Sequence, residues 1–410
     1  VPTNTIITPT WVLKDTAVAW KNHIKLVANF DRQYDNAWVN LPKGAKIGDT
    51  CQARLPWRPV VSEGQAFVPQ AIINTTVPIS VNHQYQEGMN WSSADSALRI
   101  EEVQERYTMP CGRAMASKAD VQAGAEVYYT VYNSVGTPGT AITDDVTYTD
   151  GIAVLRNLGV PDELIAVLDP KAQSKLLAAN FALFNPQNFI GKTFRSGQFS
   201  GAALGVDEWY WDPLLPTHTT GTFTSSTPLV NLGSQTGSTL NIDGLGTYAF
   251  KKGDMFTLVG VNSVNPVAFT DTGDLQQFVI TADISGTSTC ALPISPPIIT
   301  SGQLQTVTAS PANDTAVTFK GATGTVSATM AATASKQSLI FNPGAFAFVV
   351  VDLPRDLPGA NARRVSDAEA KISMRWVEQY SLQSDQLPSR LDMLCGVASV
   401  IPQFAMRCWS

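Results

Sequence analysis

Lys252-Gly253-Asp254, followed at once by Met255-Phe256-Thr257-Leu258-Val259, reads as a tight turn feeding a short strand. The device returns at Thr272-Gly273-Asp274 before Gln277-Phe278-Val279-Ile280, and Ala316-Val317-Thr318-Phe319 is followed by Gly321. Short strands with Gly and Asp punctuation predict a small all-β barrel or sandwich. Working outward, the surrounding stretch keeps one unusual composition from Thr219 to Ser338. It holds no Trp, Arg, Glu or His, and its only charges are Asp243, Asp254, Asp271, Asp274, Asp283 and Asp314 with Lys251, Lys252, Lys320 and Lys336. All nine tryptophans lie outside it. A break that clean predicts a β domain of about 120 residues inserted into a host fold, enough to bury a core of its own.

The flanks read differently. Thr10–Ala28 carries Trp11, Ala17, Val18 and Leu26 among polar residues, an amphipathic helix with an uneven stripe. Lys46–Pro69 is extended: Cys51, Ala53 and Leu55 alternate with Gln52 and Arg54, and Pro56, Pro59 and Gly64 follow. With proline on its edges and no closing apolar face, it predicts a hairpin-like arm used in assembly. A helix is expected over Asp95–Tyr107. Another begins at Pro110, a favoured first-turn residue, and runs to about Tyr132 with Val121, Ala125, Tyr128 and Tyr132 on one face. Leu164–Leu168 reads as a buried strand closed by Asp169-Pro170, with a helix from Lys171 to about Asn180. Phe346–Leu353 reads as a second buried strand, and Ile372–Tyr380 as a half-exposed one.

Of the 410 residues, 15% are charged, against about 25% in typical soluble chains. A surface so poor in charge relies on neutral polar residues or spends much of its area in subunit contacts. The net charge of −6, with no Lys/Arg stripe beyond Arg363-Arg364, argues against a dedicated nucleic-acid binder. No run approaches the ~18 apolar residues of a membrane helix, and Val1–Asp15 lacks the basic and apolar regions of a signal peptide. The five cysteines, Cys51, Cys111, Cys290, Cys395 and Cys408, are scattered and odd in number, which favours a reducing compartment over a disulfide framework.

Catalytic signatures are missing. Gly191-Lys192-Thr193 ends like a phosphate loop, but Pro186 stands where the first glycine is needed. Gly244-Leu245-Gly246 lacks a following helix and reads as a turn. His23, His83 and His218 are far apart, with no metal-ligand spacing. The aspartates at 144–145 and 271–274 read as turn residues, and no G-x-S-x-G elbow is present. None of these passages singles out a catalytic residue.

Several passages stand in a telling order: Phe30-Asp31-Arg32-Gln33-Tyr34-Asp35, then Lys46-Ile47-Gly48-Asp49-Thr50 with Arg54-Leu55-Pro56. Glu105-Arg106-Tyr107 before Pro110, Leu158-Gly159-Val160-Pro161 and Val167-Leu168-Asp169-Pro170 come next. Gly253–Asn262 with Asn265-Pro266, and Phe341-Asn342-Pro343 before Ala345-Phe346, complete the series. In these passages and their order the chain resembles the major capsid (coat) proteins of tailed double-stranded-DNA bacteriophages, in particular the short-tailed-phage branch, of the P22 type, with an inserted β domain. The resemblance implies an α+β chain with the Hong-Kong-97-type capsid fold. Its parts would be an N-terminal arm (1–45), an extended loop (46–75) and a core (76–218) with a spine helix at about 110–132 and the start of an A-domain. The inserted β-barrel-like domain (219–338) and the return of the core (339–410) would complete it. It further implies self-assembly as pentamers and hexamers, a scaffolding protein, a portal protein, weak contact with packaged DNA, no enzymatic activity, no cofactor, no membrane, and a place in the virion after assembly in the host cytoplasm. Assembly contacts are expected at Arg54, Trp57, Arg58 and Glu63 of the arm. By resemblance, a loop of the insert reaches a neighbouring capsomer through Asp243, Lys251 and Lys252.

The physical reading agrees. A shell subunit meets many neighbours, so its charge content falls, and a net acidic shell lets DNA slide. The rival from another class is a secreted β-rich carbohydrate-active enzyme or binding module, which would suit the Thr/Ser/Gly-rich strands. A tail or fibre protein is a second rival. Tryptophans that avoid the β region speak against the first, and the long central helix against the second.

Overall fold

The computed structural model describes residues 9–35, 48–61, 63–65, 69–92, 109–179, 202–224, 227–323, 329–355, 357–367 and 372–410. The helix expected over Asp95–Tyr107 and the segment Gly191-Lys192-Thr193 lie outside them, as does much of the 1–45 arm. Helices and strands are mixed, and the chain divides into two units.

The first unit comprises Val1–Ala53, Val77–Ala123 and Phe346–Ala398. Helix α1 (Pro9–His23) buries Leu13, Ala17 and Trp20, and the chain then turns through Leu26, Val27 and Phe30 into the same core. Helix α2 (Met109–Val127) enters this unit with its N-terminal part, and the two helices cross where Gly112 removes the side chain. A Cβ there would lie 2.6 Å from the Thr16 carbonyl oxygen and 2.9 Å from Ala19 Cβ, so any larger residue must push the helices apart. Farther along α2, Asp120 accepts the backbone N–H groups of Lys25 (2.9 Å) and Val27 (3.0 Å) in the turn that follows α1. The buried face of α2 is Met115, Ala116, Ala119, Ala123 and Val127. The expected face was chosen by bulk, yet Val121 is 38% exposed, because small alanines let this helix approach its neighbours more closely than large residues would. The α-helix also ends at Val127, earlier than expected, and passes into a 3₁₀ turn at Tyr128–Thr130.

The unit's sheet runs Phe346–Val351, Gln386–Ser399, Ile372–Glu378, Asn361–Asp367, with His83–Ser92 paired to Gln386–Ser399 over ten residues. Ile372–Trp376 is buried throughout, against the expected alternation. The reason is Arg375, which lies in the interior and donates to Asp392 at 2.6 Å, while Arg390 holds the other carboxylate oxygen. The Arg375 charge is thereby paired without facing water, while its Nε is left without a hydrogen-bond partner.

The second unit comprises Arg54–Thr76, Gly124–Ala345 and Ser399–Ser410. Its mixed sheet runs Asn133–Val135, Ala405–Trp409, Ala334–Phe341, Ile165–Leu168, Glu208–Trp211. Helix α3 (Asp145–Asn157) covers it with Tyr148, Ile152 and Leu155. This helix stops in a Schellman arrangement: Gly159 takes φ +73°, its N–H bonds to Arg156, and the Val160 N–H reaches the Leu155 carbonyl. Helix α4 (Pro170–Ala179) starts with proline in its first turn, and the Asp169 carboxylate accepts the Lys171 N–H at 3.1 Å.

Within this unit the Thr-rich region forms two sheets. One runs Val317–Phe319, Met255–Val264, Asp271–Ile280, Cys290–Ile298, Gly237–Asp243, Leu229–Val230. The other runs Ile284–Thr287, Thr247–Phe250, Thr222–Phe223, Thr329–Met330, Ala322–Thr323. Both bury residues in one core in which Phe319 meets Phe250 (4.7 Å between ring centroids), Phe223 (5.4 Å) and Phe256 (5.5 Å). The two ends of the region pair with each other, Thr219 with Ala334 and Thr217 with Lys336. The strand Ala334–Phe341 runs on through Ser338, so backbone pairing does not break where composition does.

Candidate functional site

Among the described residues of the second unit, three places concentrate polar chemistry. The first is buried under the turn Lys251-Lys252-Gly253-Asp254. Gly253 adopts φ +100°, and a Cβ there would meet the His218 and Tyr128 rings at 3.2–3.3 Å, so the turn requires glycine. It delivers Asp254 into the interior, where the carboxylate accepts four contacts. These come from His218 Nε2 at 2.9 Å, Gly221 N at 3.0 and 3.1 Å, and Lys251 N at 2.7 Å. His218 is 2% exposed, and its Nδ1 faces the Tyr128 hydroxyl at 3.3 Å. Which ring nitrogen carries the proton at each contact follows the tautomer. The pair fixes the turn.

Beside it Arg407 is fully buried. Its Nη2 donates to the Gly253 carbonyl at 2.8 Å, and its guanidinium lies 5.1 Å from the Trp409 ring and 5.8 Å from that of Tyr128. Burial pushes its pKa down to about 10, against the opposing pull of Tyr128 and Asp254. Its Nε and Nη1 have no hydrogen-bond partner. Sequence reasoning missed this cluster, having read the three histidines as isolated. One signal was available: Arg407 is the sole charge in the apolar run Ala405–Trp409.

The second place is the exposed side of the same turn. Lys251 Nζ pairs with Asp283 at 3.2 Å, both side chains being more than half exposed. Lys252 donates its backbone N–H to Asp283 at 2.7 Å and lays its ammonium over the Tyr129 ring at 3.4 Å. The Lys252 N–H, seconded by the Lys251 ammonium, holds the Asp283 carboxyl below the usual range. The turn borders an open cavity of about 510 Å³ shared with Tyr128, Tyr129 and Thr220. Asp243 ends the strand Gly237–Asp243, where it pairs with Leu229. It belongs to the six-stranded sheet, whereas Lys251 and Lys252 follow a strand of the five-stranded one.

The third place is the arm. Its two limbs join where the Leu55 N–H meets the Thr75 carbonyl and where the Gln70 amide brackets Val60. Arg54 ends the strand Thr50–Arg54, which pairs with Thr76–Ser80. Trp57, Val61, Ile72 and Ile73 are all exposed, as is Glu63. Arg58 reaches Gln403 Oε1 at 2.9 Å. Among the described residues no group of three or more His, Cys, Asp or Glu side chains is placed to hold a metal ion.

The sequence pattern of the P22 coat protein (gene protein 5) matches residues 65–406. No curated protein sequence matches the chain. Similar solved structures include one from Mycobacterium phage Che8, at 12% identity over 93% of this chain and 89% of that one, with TM-score 0.43. The capsid of Ralstonia phage GP4 is similar at 8% identity over 95% and 90%, with TM-score 0.43. The mature capsid of bacteriophage PhiM1 is similar at 10% identity over 88% and 82%, with TM-score 0.40. With the coat-protein pattern running through most of its length, the chain belongs to the P22 coat protein family.

Proposed function

We propose that this coat protein is the repeating unit of an icosahedral phage head, built on the Hong-Kong-97-type capsid fold and assembled as pentamers and hexamers. The observation that carries the reading is the coat-protein pattern over residues 65–406. In this reading residues 1–45 are an N-terminal arm, 46–75 an extended loop, 76–218 and 339–410 the capsid core, and 219–338 an inserted β domain. The pairing of Thr219 with Ala334 supports the last assignment, since an insertion must leave and rejoin its host at one place. Its role is structural, and the family is one of capsid proteins, not enzymes. A scaffolding protein and a portal protein are its proposed partners, with only weak contact to packaged DNA, and the host cytoplasm is its proposed place of assembly. Among the described residues no helix is long and apolar enough to cross a membrane. Negative-stain electron microscopy of the expressed chain tests the proposal: closed shells or capsomers are expected, and a chain that stays monomeric at every concentration and salt tried, with or without a scaffold, overturns it.

A further inference from the structure

The arm carries an apolar surface, yet it is fastened to its own subunit by amide side chains. Gln303 does this with both ends of one group. Its Oε1 accepts from Trp57 Nε1 at 3.1 Å on the first limb, and its Nε2 donates to the Ala71 carbonyl at 2.8 Å on the second. The loop that presents it is held by its own bonds: Thr306 N–H to Ile299, Val307 N–H to Ile299, and the Thr306 hydroxyl to Pro297 at 2.6 Å. Gln403, the second anchor, accepts from Arg58, and its own carbonyl is tied to Asn133 Nδ2 at 3.1 Å. Both anchors are thus rigid at the base. The Gln303 bonds to the arm are exposed and the Arg58–Gln403 bond is only part-buried, so water competes for the same groups. Meanwhile Val61 (91% exposed) and Ile72 (66%) remain uncovered in the single chain.

We infer that Gln303, with Gln403, is a releasable clasp that parks the arm on its own subunit until a second copy of this chain takes it over. A tight ion pair or an apolar seat would hold the arm too firmly to exchange. Water-exposed amide bonds restrain it and let it go, and burial of Val61 and Ile72 against the second copy drives the exchange. The takeover step rests on the coat-protein reading; the clasp itself does not.

The test is hydrogen–deuterium exchange, followed by mass spectrometry, on the unassembled full-length chain. Gln303→Ala and Gln403→Ala should each speed exchange of peptides covering residues 55–61 and 69–75 at least threefold, with an unchanged melting temperature. Gln303→Glu keeps the acceptor for Trp57 but loses the donor for Ala71, so it should fall between the alanine variant and the natural chain. Light scattering should then show a shorter assembly lag for Gln303→Ala. Unchanged exchange in both alanine variants overturns the clasp. Faster exchange with an unchanged lag overturns its role as a brake on assembly. If the natural chain never assembles, the coat-protein reading fails, and the exchange rates still decide whether the clasp exists.

Discussion

Asp254→Asn swaps a carboxylate for an isosteric amide at a position surrounded by donors. The two carboxylate oxygens receive the His218 Nε2, Gly221 N and Lys251 N contacts, and the fully buried Arg407 lies next to them. An amide NH₂ turned toward Gly221 and Lys251 sets donor against donor; turned the other way, it opposes His218. Toward Gly221 and Lys251 a buried bond is lost; toward His218 the bond survives only with the imidazole proton on Nδ1; in both poses the negative charge that acts on Arg407 disappears. A buried group left unsatisfied costs about 1–3 kcal/mol. For a unit of this size, at about 2–4 °C per kcal/mol, the melting temperature should fall by roughly 2–12 °C. Circular dichroism melts of the unassembled chain measure this. A second variant checks the mechanism: Arg407→Met removes the buried cation, so adding it to Asp254→Asn should recover part of the loss. A fall below 2 °C, or strictly additive effects in the double variant, would refute the idea that Asp254 and Arg407 balance each other.

Phe319→Ala should destabilise the two-sheet region by about 3–5 kcal/mol in urea titrations, since three aromatic rings lose their common neighbour; a loss under 1 kcal/mol would mean the core closes over the gap. Iodoacetamide at pH 8 should label the half-buried Cys51 and spare Cys111, whose pKa burial pushes up to about 12, and Cys408, which burial also raises; equal labelling of Cys51 and Cys408 by mass spectrometry contradicts that packing. Asp283, with a folded pKa below its unfolded value, contributes stability above the ordinary aspartate range, and that contribution is lost as the pH falls through its depressed pKa. Its carboxyl carbon in NMR should titrate below ~3.9. Lys251→Met should leave most of that depression in place because the Lys252 N–H is its largest cause, and a full return to the ordinary value would count against this ordering.

The strand after Lys252-Gly253-Asp254 and the buried strand closed by Asp169-Pro170 were legible because their signals are local. Thr272-Gly273-Asp274, read as a turn, lies instead within the strand Asp271–Ile280, where Gly273 takes φ +81°. The break at Thr219 is one of composition, and the boundaries of the two units fall elsewhere. Family membership was legible in the order of otherwise weak passages, and the match over residues 65–406 agrees with it. Helix starts at proline and the stop at Gly159 follow from backbone stereochemistry, which each residue carries with it.

Other features needed the fold. The buried face of α2 is set by how closely α1 approaches at Gly112, a distance no periodicity contains. Arg375 reads as the polar half of an alternating strand, and only the register with Gln386–Ser399 supplies Asp392 to take it inside. His218, Asp254 and Arg407 stand far apart along the chain, and Gln303 lies more than two hundred residues from Trp57. Turns and strand propensities act through neighbours in sequence, so the chain alone determines them. Buried charge and hydrogen-bond partnership act through neighbours in space, and folding alone decides which residues those are.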